Sequence, residues 1–143
     1  MTEALCIDTS VMMKYLCPDE QTSEAIALIT NALTQQTRLV APCFAWAEVG
    51  SVLRKKVRVK LLTSTEAQQL YTAYISLPID YIDSEILRLE AWQLAEQYEM
   101  PTLYDAVFLA CAKAESADFW TADDAMLNLC SPRPAYVYRL GDY

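Results

Sequence analysis

The sequence predicts a three-layer α/β domain in which helices cover both faces of a short, mostly parallel sheet. Three observations predict it. The 143 residues suffice for one hydrophobic core and are too few for two comfortable ones. Hydrophobic residues make up 54% of the chain, far above the share typical of disordered proteins. Short apolar runs alternate with longer helical patterns, as in parallel strands joined by helices, so we expect residues 1–143 to form one domain.

The first half of the chain is predicted to contain two strands and four helices. The capping types Asp8, Thr9 and Ser10 separate the first strand from a short helix, which Pro18 ends. Apolar residues at helical spacing define the second helix, and Pro42 is expected to open the third. In order, these elements are a strand over 3–7, helices over 11–16 and 19–35, a strand over 38–41, and helices over 42–56 and 63–77.

The second half is predicted to contain three strands and three helices. Asp83 is the expected N-cap of one helix, and Pro101 with Thr102 introduces the next, which is strongly apolar. In order, these elements are a strand over 79–82, helices over 84–98 and 103–115, a strand over 118–121, a helix over 123–129 and a strand over 135–140. Because strands and helices alternate along the chain, the sheet is expected to be mostly parallel.

The residue types that the chain lacks exclude several classes of function. It has no histidine, which excludes a Ser-His-Asp or Cys-His relay and a zinc site with imidazole ligands. Its two glycines, Gly50 and Gly141, cannot build the Gly-rich phosphate loops of common nucleotide-binding proteins. Acid–base chemistry is therefore left to carboxylates, lysine or tyrosine.

The cysteines are predicted to be reduced core residues of a cytoplasmic protein. Their number is odd, none is in a C-x-x-C pair, and most lie in apolar stretches. The first residues lack the basic region of a signal peptide, and no apolar stretch approaches the roughly 20 residues that cross a bilayer. We therefore expect a soluble, cytoplasmic protein without membrane contact. The cysteines are Cys6, Cys17, Cys43, Cys111 and Cys130.

The charges are mainly acidic, with a net charge of −8 from 19 acidic and 11 basic residues. This balance disfavours nucleic-acid binding by bulk electrostatics. A basic cluster nevertheless occurs, consisting of Arg54, Lys55, Lys56, Arg58 and Lys60. The cluster fits either a solvated helix end, where cations complement the helix dipole, or a local contact surface for a polyanion.

Two aspartates follow predicted strands. Asp8 comes directly after the first strand, and Asp123 lies two residues after the strand over 118–121. The carboxyl ends of parallel strands meet at one edge of the sheet, where ligands commonly bind. Both aspartates therefore fit one crevice, although each also suits a helix N-cap, which is the alternative.

Two further carboxylates lie on apolar faces of predicted helices. A helical wheel places Glu48 in a mainly apolar stripe with Phe44, and places Asp105 on the same face as Phe108. The alternative for Asp105 is a capping box with Thr102. A buried carboxylate is costly unless it is paired or binds a metal, so both positions are candidates for a site.

Convergence of the four carboxylates would create repulsion that protonation or a divalent cation must relieve. All-oxygen ligands suit Mg²⁺ or Mn²⁺. Such a site would orient and deprotonate a water and neutralise charge on a phosphate, as in metal-assisted phosphodiester hydrolysis. The ion would also supply local positive charge to an acidic chain.

With these residues considered together, the sequence resembles the PIN-domain nucleases, and among them the VapC toxins of bacterial toxin–antitoxin pairs. The matching segments occur in the family's order over nearly the whole chain: Ile7–Val11, Ala47–Val49, Leu103–Ala110 and Thr121–Asp123. The resemblance implies a Mg²⁺- or Mn²⁺-dependent endoribonuclease that acts on RNA. It also implies a homodimer that a cognate antitoxin holds inactive by covering the site.

The resemblance further assigns roles to individual residues. The implied catalytic and metal-binding quartet is Asp8, Glu48, Asp105 and Asp123. The implied supporting residues are Thr9, Ser10 and Thr121, whose hydroxyls would hold the carboxylates, and Asp124, which could substitute for its neighbour. Plain helix capping is the alternative for the hydroxyls. Arg54, Lys55, Lys56, Arg58 and Lys60 would steady the RNA backbone.

The chain departs from the family in two loops. Relatives often carry glycine after the basic helix end and before the strand that leads to the last acid. Residues 57–60 and 116–118 contain none, so we expect local loop changes there.

Three other functions compete with an RNA-cleaving toxin. The same chemistry could serve RNA maturation without an antitoxin, and a small antitoxin gene directly upstream would separate these two. A catalytically idle PIN fold could act as a binding module, but all four acids are present. A phosphoaspartyl or receiver domain requires a second acid close to Asp8, where the chain has Thr9 and Ser10.

Overall fold

The computed structural model describes residues 3–143, which contain seven α-helices and five β-strands. None of these helices is both long and apolar enough to cross a membrane. The strands are β1 (Ala4–Ile7), β2 (Arg38–Pro42), β3 (Ile79–Ile82), β4 (Asp118–Thr121) and β5 (Val137–Arg139). The helices are α1 (Thr9–Leu16), α2 (Ser23–Thr34), α3 (Ala45–Arg58), α4 (Ser64–Ile75), α5 (Glu85–Gln97), α6 (Leu103–Ala114) and α7 (Asp124–Leu129), and a short 3₁₀ helix covers Leu140–Asp142.

The five strands form one parallel sheet in the order β3-β2-β1-β4-β5, which confirms the predicted sheet type. Strand β1 lies at the centre, with Cys6 opposite Val40 of β2 and Phe119 of β4. The chain extends from β1 through β2 and β3 on one side, and then through β4 and β5 on the other. The strand order therefore reverses between β1 and β4, and open α/β sheets commonly bind ligands beyond the strand ends at such a point.

Two hydrophobic layers enclose the sheet. Successive side chains of β1 face opposite sides, so that Cys6 packs with the layer containing α5, α6 and α7. Leu5 and Ile7 pack with the layer containing α1, α2, α3 and α4. Burial on both faces explains why β1 reads as an unbroken apolar run. The predicted three-layer α/β/α architecture is therefore confirmed.

The start of α2 differs from the prediction. The helix expected from Asp19 begins at Ser23, because the Thr22 side chain caps it by accepting a hydrogen bond from the backbone N–H of Ala25 at 3.2 Å. Residues 18–20 form a turn instead. The acidic residues before this cap therefore do not belong to the first turn of the helix.

Two other boundary predictions are wrong. Pro42 does not open α3 but ends β2, and the helix begins at Ala45. Asp83 does not cap α5; the Ser84 hydroxyl does, by accepting a hydrogen bond from a backbone N–H in the first turn. Asp83 instead forms an ion pair with Arg88, which competes with capping for its carboxylate.

Four residues after helix ends adopt the left-handed conformation that favours glycine, and two of them, Lys60 and Ser116, lie in the loops considered above. Lys60, after α3, has φ of 64°, and Ser116, after α6, has φ of 52°. Both lie in the loops that lack the glycine expected from the family. The backbone there adopts a glycine-like conformation although no glycine is present.

All five cysteines are free thiols, and four of them are buried as predicted. Cys43 is exposed, contrary to the prediction of a core residue. It lies in the turn between β2 and α3, and its position in an apolar stretch of sequence therefore did not indicate burial.

Candidate active site

An acidic cleft of about 340 Å³ lies at the carboxyl edge of the sheet, beside β1 and β4. The four acids predicted from the sequence all line it, each from a different element. Asp8 follows β1 and Asp123 follows β4, while Glu48 and Asp105 lie in the first turns of α3 and α6. The other lining residues are Thr9, Ser10, Met13, Glu20, Val52 and Phe108.

Asp8 is nearly buried, and both of its carboxylate oxygens accept hydrogen bonds. Oδ1 accepts from the Ser10 hydroxyl and from the backbone N–H of Val11, the latter at 3.2 Å, so that Asp8 caps α1. Oδ2 accepts from the hydroxyl of Thr121. The capping alternative is therefore correct for Asp8, and it coexists with a place in the cleft.

The hydroxyls of Ser10 and Thr121 join two segments that are distant in sequence. Ser10 Oγ accepts from the backbone N–H of Ala122 at 3.0 Å, and Thr121 Oγ1 accepts from that of Asp123, also at 3.0 Å. Each hydroxyl therefore donates to Asp8 and accepts from the chain that follows β4. This network orients the Asp8 carboxylate from both sides.

Glu48 and Asp105 differ in how they are held. The Thr9 hydroxyl donates to Glu48 Oε1, so the start of α1 orients the acid on α3. Asp105 is half-buried, and its carboxylate has no hydrogen-bond or ion-pair partner among residues 3–143. The alternative capping box is not formed, because Thr102 makes no side-chain capping bond. Asp105 is thus the acid of the cleft that other groups of the chain engage least.

Asp123 and Asp124 are adjacent in sequence but occupy different surroundings. Asp123 lines the cleft and caps α7, with Oδ1 accepting from the N–H groups of Ala125 and Met126 at 3.0 and 3.2 Å. Asp124 is 70% exposed and forms an ion pair with Arg139 at 3.2 Å. Asp124 does not line the cleft. The geometry therefore groups Asp123, and not Asp124, with the other three acids.

Glu20 also lines the cleft, although no sequence pattern predicted it there. Its carboxylate pairs with the Lys56 ammonium at 2.6 Å, and Lys56 pairs with Asp19 at 2.7 Å. The Lys56 side chain is only 9% exposed, and its ammonium is directed to these two carboxylates and not to the surface where RNA contact was predicted. Glu20 reaches the cleft through the turn between α1 and α2, and no strand end or apolar stripe marks such a position.

The other four residues of the basic cluster are exposed and lie outside the cleft: Arg54, Lys55, Arg58 and Lys60. None of them has an ion-pair partner in the described part of the chain. Lys55 and Arg58 lie in the last turn of α3, where cations complement the helix dipole. Helix-end solvation and polyanion contact are both compatible with these four positions.

Burial sets the electrostatics of the cleft. It raises the pKa of Asp8 from the ordinary value of 3.8 to about 6; hydrogen bonds from Ser10 and Thr121 offset part of this rise, and the charge of Asp123 adds to it. Burial, and after it the charge of Asp123, also raises the pKa of Asp105. Ionised Asp8 and Asp105 therefore lower the free energy of unfolding near neutral pH.

This cost predicts a pH-dependent difference between the wild type and Asp8→Asn. Because the folded pKa of Asp8 lies above its unfolded value, the protonated group favours folding, and this contribution is lost as the pH rises through about 6. In EDTA, we expect equal free energies of unfolding for the two proteins near pH 4 and an advantage of roughly 2 kcal/mol for the variant at neutral pH. Urea unfolding of both proteins measures the difference between their free energies of unfolding. Groups that titrate alike in the two proteins cancel in this difference. A difference that does not change with pH would contradict the raised pKa.

The donor chemistry of the cleft fits a divalent cation that retains much of its hydration. Every charged side chain in the lining is a carboxylate. No three Asp, Glu or Cys side chains within residues 3–143 form a ready ligand cluster, and Asp8, Glu48 and Asp123 are each engaged by hydroxyl or amide donors. Mg²⁺ usually keeps several waters and takes one or two carboxylates. Asp105 offers a carboxylate without a hydrogen-bond partner among residues 3–143, and the others suit contacts through water.

Comparisons with known proteins agree with this geometry. The fold is similar to the crystal structure of FitAcB from Neisseria gonorrhoeae, with a TM-score of 0.66 and 15% identity over 98% of this chain and 99% of that chain. At this identity the likeness shows the fold alone. No curated protein matches the chain by sequence. The family model of the PIN domain matches residues 5–131, a span that includes all four acids. The chain therefore belongs to the PIN domain family.

Proposed function

We propose that this chain is a metal-dependent endoribonuclease that hydrolyses RNA phosphodiester bonds, with residues 1–143 forming a single PIN domain. PIN domains are generally nucleases. The observation that carries the proposal is the acidic cleft, in which Asp8, Glu48, Asp105 and Asp123 line one cavity without a lysine or arginine among the lining residues. Burial, and after it the charge of Asp123, raises the pKa of Asp8, and a divalent cation would offset the negative charge gathered in the cleft.

Each acid has a distinct part in the proposed reaction. A bound Mg²⁺ or Mn²⁺ would supply Lewis-acid chemistry, by lowering the pKa of a water and offsetting charge on the phosphate. Asp105 offers its open carboxylate to the ion. Asp8 and Glu48 are held in place by hydroxyl groups, which reduces the rearrangement that binding requires. Asp123 adds negative charge to the cleft while it caps α7.

The resemblance to VapC toxins supports a more specific role for the nuclease. We infer that it is the toxin of a toxin–antitoxin pair, acting on RNA in the cytoplasm, and that its cognate antitoxin covers the acidic cleft. A small antitoxin gene directly upstream is the expected genomic context. Its absence would favour RNA maturation by the same chemistry.

An apolar face on α5 supports the proposed homodimer. Ile86, Leu89 and Trp92 are 76%, 59% and 59% exposed and follow one another at three-residue intervals on this helix. Contiguous apolar patches of this kind are typical of subunit contacts. Light scattering is expected to give twice the chain mass of 16.2 kDa, and a mass of 16.2 kDa at micromolar concentration would contradict the dimer.

A cleavage assay tests the proposed function. Purified protein with Mg²⁺ is expected to cut a structured RNA, EDTA is expected to stop cleavage, and excess Mn²⁺ is expected to restore it. The Asp105→Asn variant, purified in the same way, should not cleave, which excludes a contaminating ribonuclease. Cleavage that persists unchanged in EDTA, or in the variant, would contradict the metal-dependent mechanism.

A further inference from the structure

A second cavity, of about 720 Å³, lies between α3 and α4 and shares no lining residue with the acidic cleft. We call it the α3–α4 groove and define it by Trp46, Gly50, Arg54 and Arg58 of α3 together with Gln68 and Tyr71 of α4. Four of these residues lie on α3, the helix that also carries Glu48. The groove is therefore attached directly to an element of the candidate active site.

The floor of the groove depends on a close approach between the two helices. A Cβ atom on residue 50 would lie 3.1 Å from Cε1 of Tyr71, so glycine allows the tyrosine ring to lie against α3. Leu53 and Ala67, both buried, complete the apolar floor. The result is a trough with an apolar base and an aromatic side.

The walls of the groove carry positive charge and an exposed aromatic ring. Arg54 and Arg58 are four residues apart on α3, which places them on one face of the helix. Neither has an ion-pair partner among residues 3–143, whereas Lys56 between them is turned away to Asp19. Trp46, at the other end of the groove, is 48% exposed. In a chain of net charge −8, two such arginines offer a local site for an anion.

We propose that the α3–α4 groove binds unpaired nucleotides of the RNA substrate at a site separate from the acidic cleft. The proposal rests on the proposed ribonuclease function. Guanidinium groups suit phosphates, and aromatic rings stack on bases only where the bases are unpaired. Trp46 and Arg58 lie about 18 Å apart along the axis of α3, at 1.5 Å per residue. The groove therefore has a length that suits a short single strand, and it supplies positive charge that the lining of the cleft lacks.

Fluorescence anisotropy of the full chain in EDTA tests the groove without cleavage. The probes are a fluorescein-labelled single-stranded RNA of about 12 nucleotides and the same sequence as a duplex. The wild type should prefer the single strand. Arg54→Ala/Arg58→Ala should weaken single-strand binding at least tenfold, and should lower the slope of log affinity against log salt by about 1.4, as expected for two lost phosphate contacts. Trp46→Ala should weaken binding roughly tenfold without a change of slope, and Trp46→Phe should restore it.

A charge-matched control is available at two residues that do not line the groove. Arg38 begins β2 and Lys113 lies near the end of α6, and both side chains form surface ion pairs. The Arg38→Ala/Lys113→Ala variant changes the net charge equally and should bind RNA as the wild type does. Thermal melts of all variants confirm that the compared proteins are folded.

The outcomes separate this proposal from the proposed function. A wild type that does not bind single-stranded RNA, or groove variants that bind it unchanged, would overturn the groove proposal even if Mg²⁺-dependent cleavage is found. Groove variants that bind RNA normally but bind polyglutamate less tightly would assign the groove to an acidic protein partner, which also overturns it. Groove-dependent RNA binding without any cleavage would support the groove and contradict the nuclease.

Discussion

The Asp8→Asn variant is expected to lose RNA cleavage by at least 100-fold while it remains folded. The amide removes the negative charge from the best-anchored acid of the cleft, and the hydroxyls of Ser10 and Thr121 can still hydrogen-bond to it. A catalytic metal contributes several kcal/mol, and each 1.36 kcal/mol is worth a factor of ten in rate. Initial rates with Mg²⁺, together with thermal melts in EDTA, measure both effects.

Asp124→Asn is the matched control for this experiment. It makes the same chemical change beside Asp123, at a carboxylate that is exposed and paired with Arg139 outside the cleft. Its cleavage rate should stay within about twofold of the wild type, because surface ion pairs contribute little. If Asp124→Asn were inactive and Asp8→Asn active, the grouping of acids seen in the cleft would be wrong.

The Thr121→Val variant is expected to lower the free energy of unfolding by roughly 3 kcal/mol and cleavage at least tenfold. Valine has nearly the shape of threonine but lacks the hydroxyl, and Thr121 is fully buried. The hydroxyl donates to Asp8 and accepts from the backbone N–H of Asp123, so its loss leaves two polar groups without this partner. In a chain of this size the loss corresponds to a fall of roughly 8 °C in the melting temperature.

Thr121→Ser separates the hydroxyl from the methyl group. Serine keeps both hydrogen bonds and loses one buried methyl, at a cost of about 1 kcal/mol. This variant should cleave RNA at a rate close to the wild type. Equal losses of activity in the serine and valine variants would assign the effect to packing and contradict the positioning role of the hydroxyl.

Most of the fold could be predicted because its signals are local. The apolar run of β1 and the apolar periodicity of α6 are each visible within a dozen residues. The errors occurred where one residue type suits two structures. Pro42 fits both the first turn of a helix and the end of a strand, and only its pairing opposite Ile82 decides between them. Strand order depends on contacts between segments that are distant in sequence, so no single segment of the chain predicts it.

The acids of the cleft could be proposed for a related reason. Asp8 and Asp123 follow strands, and Glu48 and Asp105 interrupt apolar faces, so each carries a signal in its own neighbourhood. No local sequence signal marks the Glu20–Lys56 ion pair, because a turn and a helix end that are 36 residues apart meet only in the folded chain. The same ion pair directs the Lys56 ammonium to Glu20 and not to the predicted RNA surface. Tertiary pairing of this kind is the part of the site that a single sequence leaves undetermined.

The hydrogen bond from Thr121 to Asp8 spans 113 positions and has a consequence for translation. A ribosome makes Asp8 almost first and Thr121 only after most of the nascent chain has emerged. Until β4 docks beside β1, the Asp8 carboxylate lacks the hydrogen bond that the Thr121 hydroxyl donates. A growing polypeptide therefore carries no oriented quartet, and the proposed toxicity would begin only after residue 121 has left the exit tunnel.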